Sequence, residues 1–175
     1  MFNLFRRKEP HPETLAARAA YGRVIERARA KDWYVAGSVP DTLDGRFDLA
    51  ALMLSLLTIR LEEIDTPASR SFIRALTEQF VDDMDASLRE HGIGDMVIGK
   101  HMGKSMSAYG GRLGAYRKAG EGDVDWREAL ARNLYRRESE AAADAGALDW
   151  AVRQVEAERA RLAAIDEATI LKGTA

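Results

Sequence analysis

The stretch LAALMLSLLTI, Leu49 to Ile59, restricts the possible folds of this chain more than any other feature. With Phe47 before it and Leu61 after it, it reads as a helix starting near Asp44 that is apolar on nearly every side. Such a helix buries its whole circumference only when other helices surround it, which makes it the central member of a bundle. It is far shorter than the roughly 20 apolar residues that a membrane crossing needs. A chain of 175 residues fits one domain with a core of ordinary size.

The remaining periodicity is helical too. Pro12 followed by Glu13 opens a basic amphipathic helix toward Lys31, and GSVPDT, Gly37 to Thr42, is a loop. Asp65-Thr66-Pro67 reads as a cap with proline in the first turn. The helix it starts carries Phe72, Leu76, Phe80, Met84 and Leu88 on one side and Asp82, Asp83, Asp85, Arg89 and Glu90 on the other. Gly92 ends it, and Asp95 is placed to cap a fourth helix toward Lys118. After GEGD, a short helix fits Trp126 to about Arg136 and a last one Leu148 to about Ile165. The prediction is an all-α, single-domain bundle of about six helices. Residues 1–12 form a basic tail, residues 13–166 the helical domain, and residues 167–175 a frayed end.

Composition removes several function classes. The chain has no cysteine, so neither disulfides nor thiolate zinc sites are available. His11, His91 and His101 form no ligand pair at metal-binding spacing. No G-x-S-x-G elbow is present, and Asp82, Asp83, Asp85 and Glu90 read as a solvated face rather than an acid–base pair. Net charge is +5 over residues 1–31, −6 over 62–95 and +5 over 96–120. Separate blocks of both signs argue against a dedicated nucleic-acid binder. Nothing points to a cofactor or to a particular oligomeric state. No secretory signal is visible, and MFNLFRRKEP reads either as a tail or as a membrane-touching segment through Phe2, Phe5, Arg6, Arg7 and Lys8.

One run invites an enzymatic reading. GDMVIGK, Gly94 to Lys100, satisfies the G-x-x-x-x-G-K part of a phosphate-binding loop. His101 stands where a magnesium-binding hydroxyl belongs, Asp95 repels phosphate, and a helix rather than a strand precedes it. A small helical nucleotide-binding enzyme is therefore the lesser reading. Gly99, Gly103, Gly110, Gly111 and Gly114 then fall inside the fourth helix, where each costs about 1 kcal/mol against alanine. Their four-residue spacings predict a side that another backbone approaches closely. A second line holds Met102, Met106, Tyr109, Leu113 and Tyr116, edged by Lys100, Lys104 and Arg112. Two readings of this line stand: packing inside the bundle, or an adaptable apolar surface for a partner.

Three segments carry a family resemblance: PDTLDGRFDL (Pro40–Leu49), FVDDMDASLREHGIGDMVIGK (Phe80–Lys100) and YGGRLGAY (Tyr109–Tyr116). They resemble the ubiquinol–cytochrome c chaperone family, which includes mitochondrial assembly factors of the cytochrome bc1 complex. The similarity runs from about Trp33 to Tyr135, with DMD-x-SLRE-x-G-x-GD its most specific element. The resemblance implies a non-enzymatic chaperone for newly made cytochrome b, working near the ribosome and a small partner protein. The matched residues include Gly45 and Gly94, and those taken as client-binding candidates are Asp44, Arg46, Asp83, Asp85, Arg89, Asp95, Lys100, Tyr109, Arg112 and Tyr116, joined by Met102 and Met106. The chain departs from the family pattern in the doubled Gly110-Gly111. The absence of a long transit segment implies a bacterial, cytoplasmic protein, peripheral at the inner membrane. A general ribosome- or membrane-docking adaptor using the basic first helix is the third reading.

Overall fold

Thr42 begins the central helix by accepting a hydrogen bond from the Gly45 amide at 3.1 Å, and the helix then runs for 22 residues, Leu43–Ile64. In the computed structural model, which describes residues 11–90, 94–137 and 144–174, this is α3. Every residue from Asp48 to Ile59 is buried, as the apolar circumference requires. Each leucine so placed contributes about 2 kcal/mol relative to an exposed one. Gly45 is required because a Cβ there would lie 2.0 Å from the Pro40 carbonyl oxygen.

Around α3 stand α1 (Pro12–Ala28), α4 (Pro67–Glu90), α5 (Asp95–Glu121) and α7 (Ala145–Ala163), with α6 (Trp126–Asn133) bridging α5 and α7. The short α2 (Asp32–Val35) and α8 (Glu167–Leu171) complete the chain. The described residues form an all-α bundle, without strands. None of their helices is long and apolar enough to cross a membrane.

Several local expectations need correction. The first helix stops at Ala28, and Trp33 on α2 turns inward to meet Trp150 edge-on at 5.0 Å. Thr66, not Asp65, caps α4: Thr66 and Ser69 exchange backbone-to-hydroxyl bonds of 3.0 Å in both directions. Asp65 instead ends α3 in the left-handed region at φ 52°. Gly94 occupies the N-cap of α5, and Asp95 is already helical. The end predicted to fray from Glu167 is docked, because Ile170 is fully buried and Arg23 Nε donates to the Gly173 carbonyl at 3.0 Å. Gly173 adopts φ +72° with the Ala16 carbonyl so close that a Cβ would sit 2.3 Å from it. Gly92 and His91 lie outside the described residues, as do Phe2, Phe5, Arg6, Arg7 and Lys8.

Phe80 joins four helices. It is fully buried on α4, with Tyr109 of α5 at 5.0 Å, Phe47 of α3 at 5.9 Å and Tyr21 of α1 at 6.4 Å between ring centroids. The surrounding phenols are hard to ionise. Burial pushes the Tyr21, Tyr109 and Tyr116 hydroxyls up, Tyr109 to about 12. An unfolded tyrosine ionises near 10.0, so stability from Tyr109 is complete below that pH and is lost as pH climbs through about 12. Titration monitored by tyrosinate absorbance is therefore expected to show almost no Tyr109 ionisation at pH 10.5. Tyr109→Phe is expected to flatten the fall in stability between pH 10 and 12.

Candidate functional site

Asp44 and Asp48 lie one turn apart at the start of α3, and both face Arg136, just beyond α6. The Arg136 Nε donates to Asp48 at 2.6 Å and its Nη1 to Asp44 at 2.6 Å. From the other side Arg112 of α5 reaches Asp48 at 2.6 Å. Asp48 is only 1 % exposed. Burial raises its carboxyl above the ordinary value, while hydrogen bonds and charge from Arg136 and Arg112 oppose the rise. Arg112 is fully engaged: it also donates to the carbonyls of Asn133 and Ala108, both at 3.2 Å, and lies 5.4 Å over the Phe47 ring.

The residues carried over from the family pattern thus divide into two groups. Asp44 and Arg112 fix α3, α5 and the end of α6 together. Tyr109, 5 % exposed and bonded to Thr58 at 3.3 Å, and Tyr116, fully buried and stacked on Trp126, belong to the core. Neither tyrosine has surface to offer a client, so for both the packing reading of the Met/Tyr line is correct. Met106 also packs against the core, and Met102 is half-buried. Asp83 accepts from the Tyr21 hydroxyl at 2.8 Å and ties α4 to α1. Arg46 pairs with Asp41 at 2.7 Å and Arg89 with Asp85 at 2.7 Å, all on the surface or near it.

Asp48 and Arg136 escaped the sequence reading. The available signal was an aspartate four residues after Asp44 inside an otherwise apolar helix, since a buried carboxylate demands cationic partners. Their separation of 88 residues in sequence hides the pairing.

The outward side of α5 is different in kind. Apart from the adjacent backbone of their own helix, Gly99, Gly103, Gly110, Gly111 and Gly114 have no atom within 4 Å of where a Cβ would be. The prediction that they admit a neighbouring backbone within this chain is therefore wrong. They leave bare helix backbone beside exposed Lys100, Lys104 and Val97. GDMVIGK is the N-cap and first turns of this helix, with Ile98 buried, so it does not wrap an anion as a phosphate loop does. Side chains of Asp95 and Met96 lie outside the described set.

Comparison with known proteins matches residues 36–175 to the family model described as ubiquinol–cytochrome C chaperone. A crystal structure of the Cbp3 homolog from Brucella abortus is similar throughout, with a TM-score of 0.77 and 28% identity. The match covers 93% of this chain and 88% of that one. A search of curated proteins finds no significant match. The family model thus spans α3 to α8, including the buried carboxylate, both its arginines and the bare face of α5, and the chain belongs to the ubiquinol–cytochrome c chaperone family.

Proposed function

We propose that this protein is a non-enzymatic assembly chaperone that holds newly made cytochrome b while the cytochrome bc1 complex is built. Family membership carries this reading. The outer face of α5 is the surface best suited to the client. Five helix-interior glycines cost stability and receive no packing from their own chain, so their return must come from elsewhere. An apolar helix of a membrane protein approaches a glycine-lined face closely, gaining dispersion contacts along its length. Lys100 and Lys104 beside that face attract acidic loops of the client. Met102, half-buried on the same helix, supplies an adaptable apolar edge. Arg46, Asp85 and Arg89 flank the bundle as surface charges available to steer encounter rather than to anchor it.

In the same reading the protein works on the cytoplasmic side of a bacterial inner membrane, close to the ribosome. Phe2 and Phe5 supply apolar contact with the membrane, and Arg6, Arg7 and Lys8 pair with anionic headgroups.

Gly103→Ala tests the α5 face, because it separates stability from function. The position is open, so alanine is expected to raise stability by about 0.5–1 kcal/mol. The same substitution is expected to reduce co-purification of pulse-labelled cytochrome b, as is Lys100→Glu with Lys104→Glu. Undiminished capture by both variants would remove α5 from the client site.

A further inference from the structure

A second surface lies on the far side of α4. One open groove is lined by Ile25, Arg29, Phe47, Asp83 and Met84, among others, and a second by Leu15, Arg18, Ile25, Arg29 and Asp83. The two adjoin, sharing Ile25, Arg29 and Asp83, and follow the seam where Tyr21 of α1 donates to Asp83 of α4, so together they form a shallow cleft along that seam toward the start of α3. From Leu15 to Arg29 the cleft is about 21 Å long at the helical rise. Its lining is mixed, with Ile25, Ala28, Phe47, Ala50 and Met84 supplying apolar surface between charged side chains. Of the four large apolar side chains exposed among the described residues, two line it, Leu15 at 52% and Leu43 at 41%.

The walls differ in charge. The α4 wall presents Asp82, Asp83 and Glu90 and no basic residue. Asp82 and Glu90 are exposed and form no ion pair among the described residues. Opposite them, α1 presents Arg18 and Glu26, Arg29 follows at its C-cap, and α3 adds Arg46. Both long walls are helices whose backbone groups bond internally, so the cleft has no sheet edge to pair with an extended strand. What it offers is side-chain contact to a cylinder of matching length.

We propose that this cleft docks an amphipathic helix of about four turns, supplied by a protein partner, with basic residues along one flank of its apolar stripe. The apolar stripe lies over Ile25, Phe47 and Met84, and the basic flank faces Asp82 and Glu90. Arg18 and Arg29 repel cations from the other flank, which makes the charge requirement one-sided. The assignment does not depend on which client α5 meets.

Two fluorescent helical peptides test it against the full-length protein by anisotropy. Both carry a leucine stripe; one has lysines along a single flank with glutamine elsewhere, and the other has glutamates in place of the lysines. Wild-type protein is expected to bind the lysine peptide about tenfold more tightly, as two rim ion pairs allow. Asp82→Lys with Glu90→Lys is expected to reverse that preference without lowering the unfolding midpoint, since both positions are exposed. Leu15→Asp is expected to weaken both peptides. Equal affinity of wild type for the two peptides would overturn the proposal, as would an unchanged preference in the charge-reversed variant. Dimerisation of the protein that disappears in the same variant would also overturn it, by making a second copy of the chain the occupant.

Discussion

Asp48→Ala is expected to lower the free energy of unfolding by about 3–5 kcal/mol, the cost of stranding a buried partner charge. The carboxylate is the common acceptor for Arg112 and Arg136. Arg112 cannot retreat to water: its side chain is 13% exposed and its remaining donors are committed to two carbonyls and the Phe47 ring. Arg136 is 44% exposed, and without it Asp48 still keeps Arg112, so Arg136→Ala is expected to cost less, about 1–3 kcal/mol. Urea unfolding at neutral pH measures both. A loss below 1 kcal/mol for Asp48→Ala would mean that water or Asp44 replaces the carboxylate, and that the triad does not hold α3, α5 and the end of α6 together.

Phe80→Ala is the second large effect, expected at about 3–5 kcal/mol from lost burial and the cavity left behind. Three aromatic rings from three other helices converge on Phe80, so the void cannot close by moving one of them. Phe80→Leu retains most of the volume and is expected to lose about 1–2 kcal/mol. Phe47 touches Phe80 on one side and supports the Arg112 guanidinium on the other. The Phe80 and Asp48 substitutions are consequently expected to be non-additive in a double-mutant cycle.

The fold was legible because its signals are local. Leu49–Ile59 forces a buried central helix, and Thr66, Pro67 and the α4 stripe each act within one or two turns. The site was less legible because exposure is decided by neighbours far along the chain. Tyr109 and Tyr116 have the composition of a binding surface, yet Thr58, Phe80 and Trp126 enclose them. The glycines of α5 misled in the opposite direction: their spacing implies a close neighbour, and within this chain there is none. The docking of α8 depends on Arg23, 150 residues before Gly173, which no local pattern reveals. The family resemblance identified the right protein family while concentrating on positions that mostly build the scaffold. Asp44 and Arg112 are held in the charge network, Asp83 bridges two helices, and Gly45 clears a carbonyl.

We propose that function resides on surfaces the scaffold leaves free, the bare side of α5 and the cleft between α1 and α4. The central claim is that the protein engages cytochrome b before the bc1 complex is complete. Pulse-labelling cells and isolating the tagged full-length chain within minutes, with crosslinking, tests it most directly. Cytochrome b is expected to be enriched over other new membrane proteins, with the signal decaying as assembled complex accumulates. Recovery of cytochrome b no greater than that of unrelated membrane proteins would contradict it.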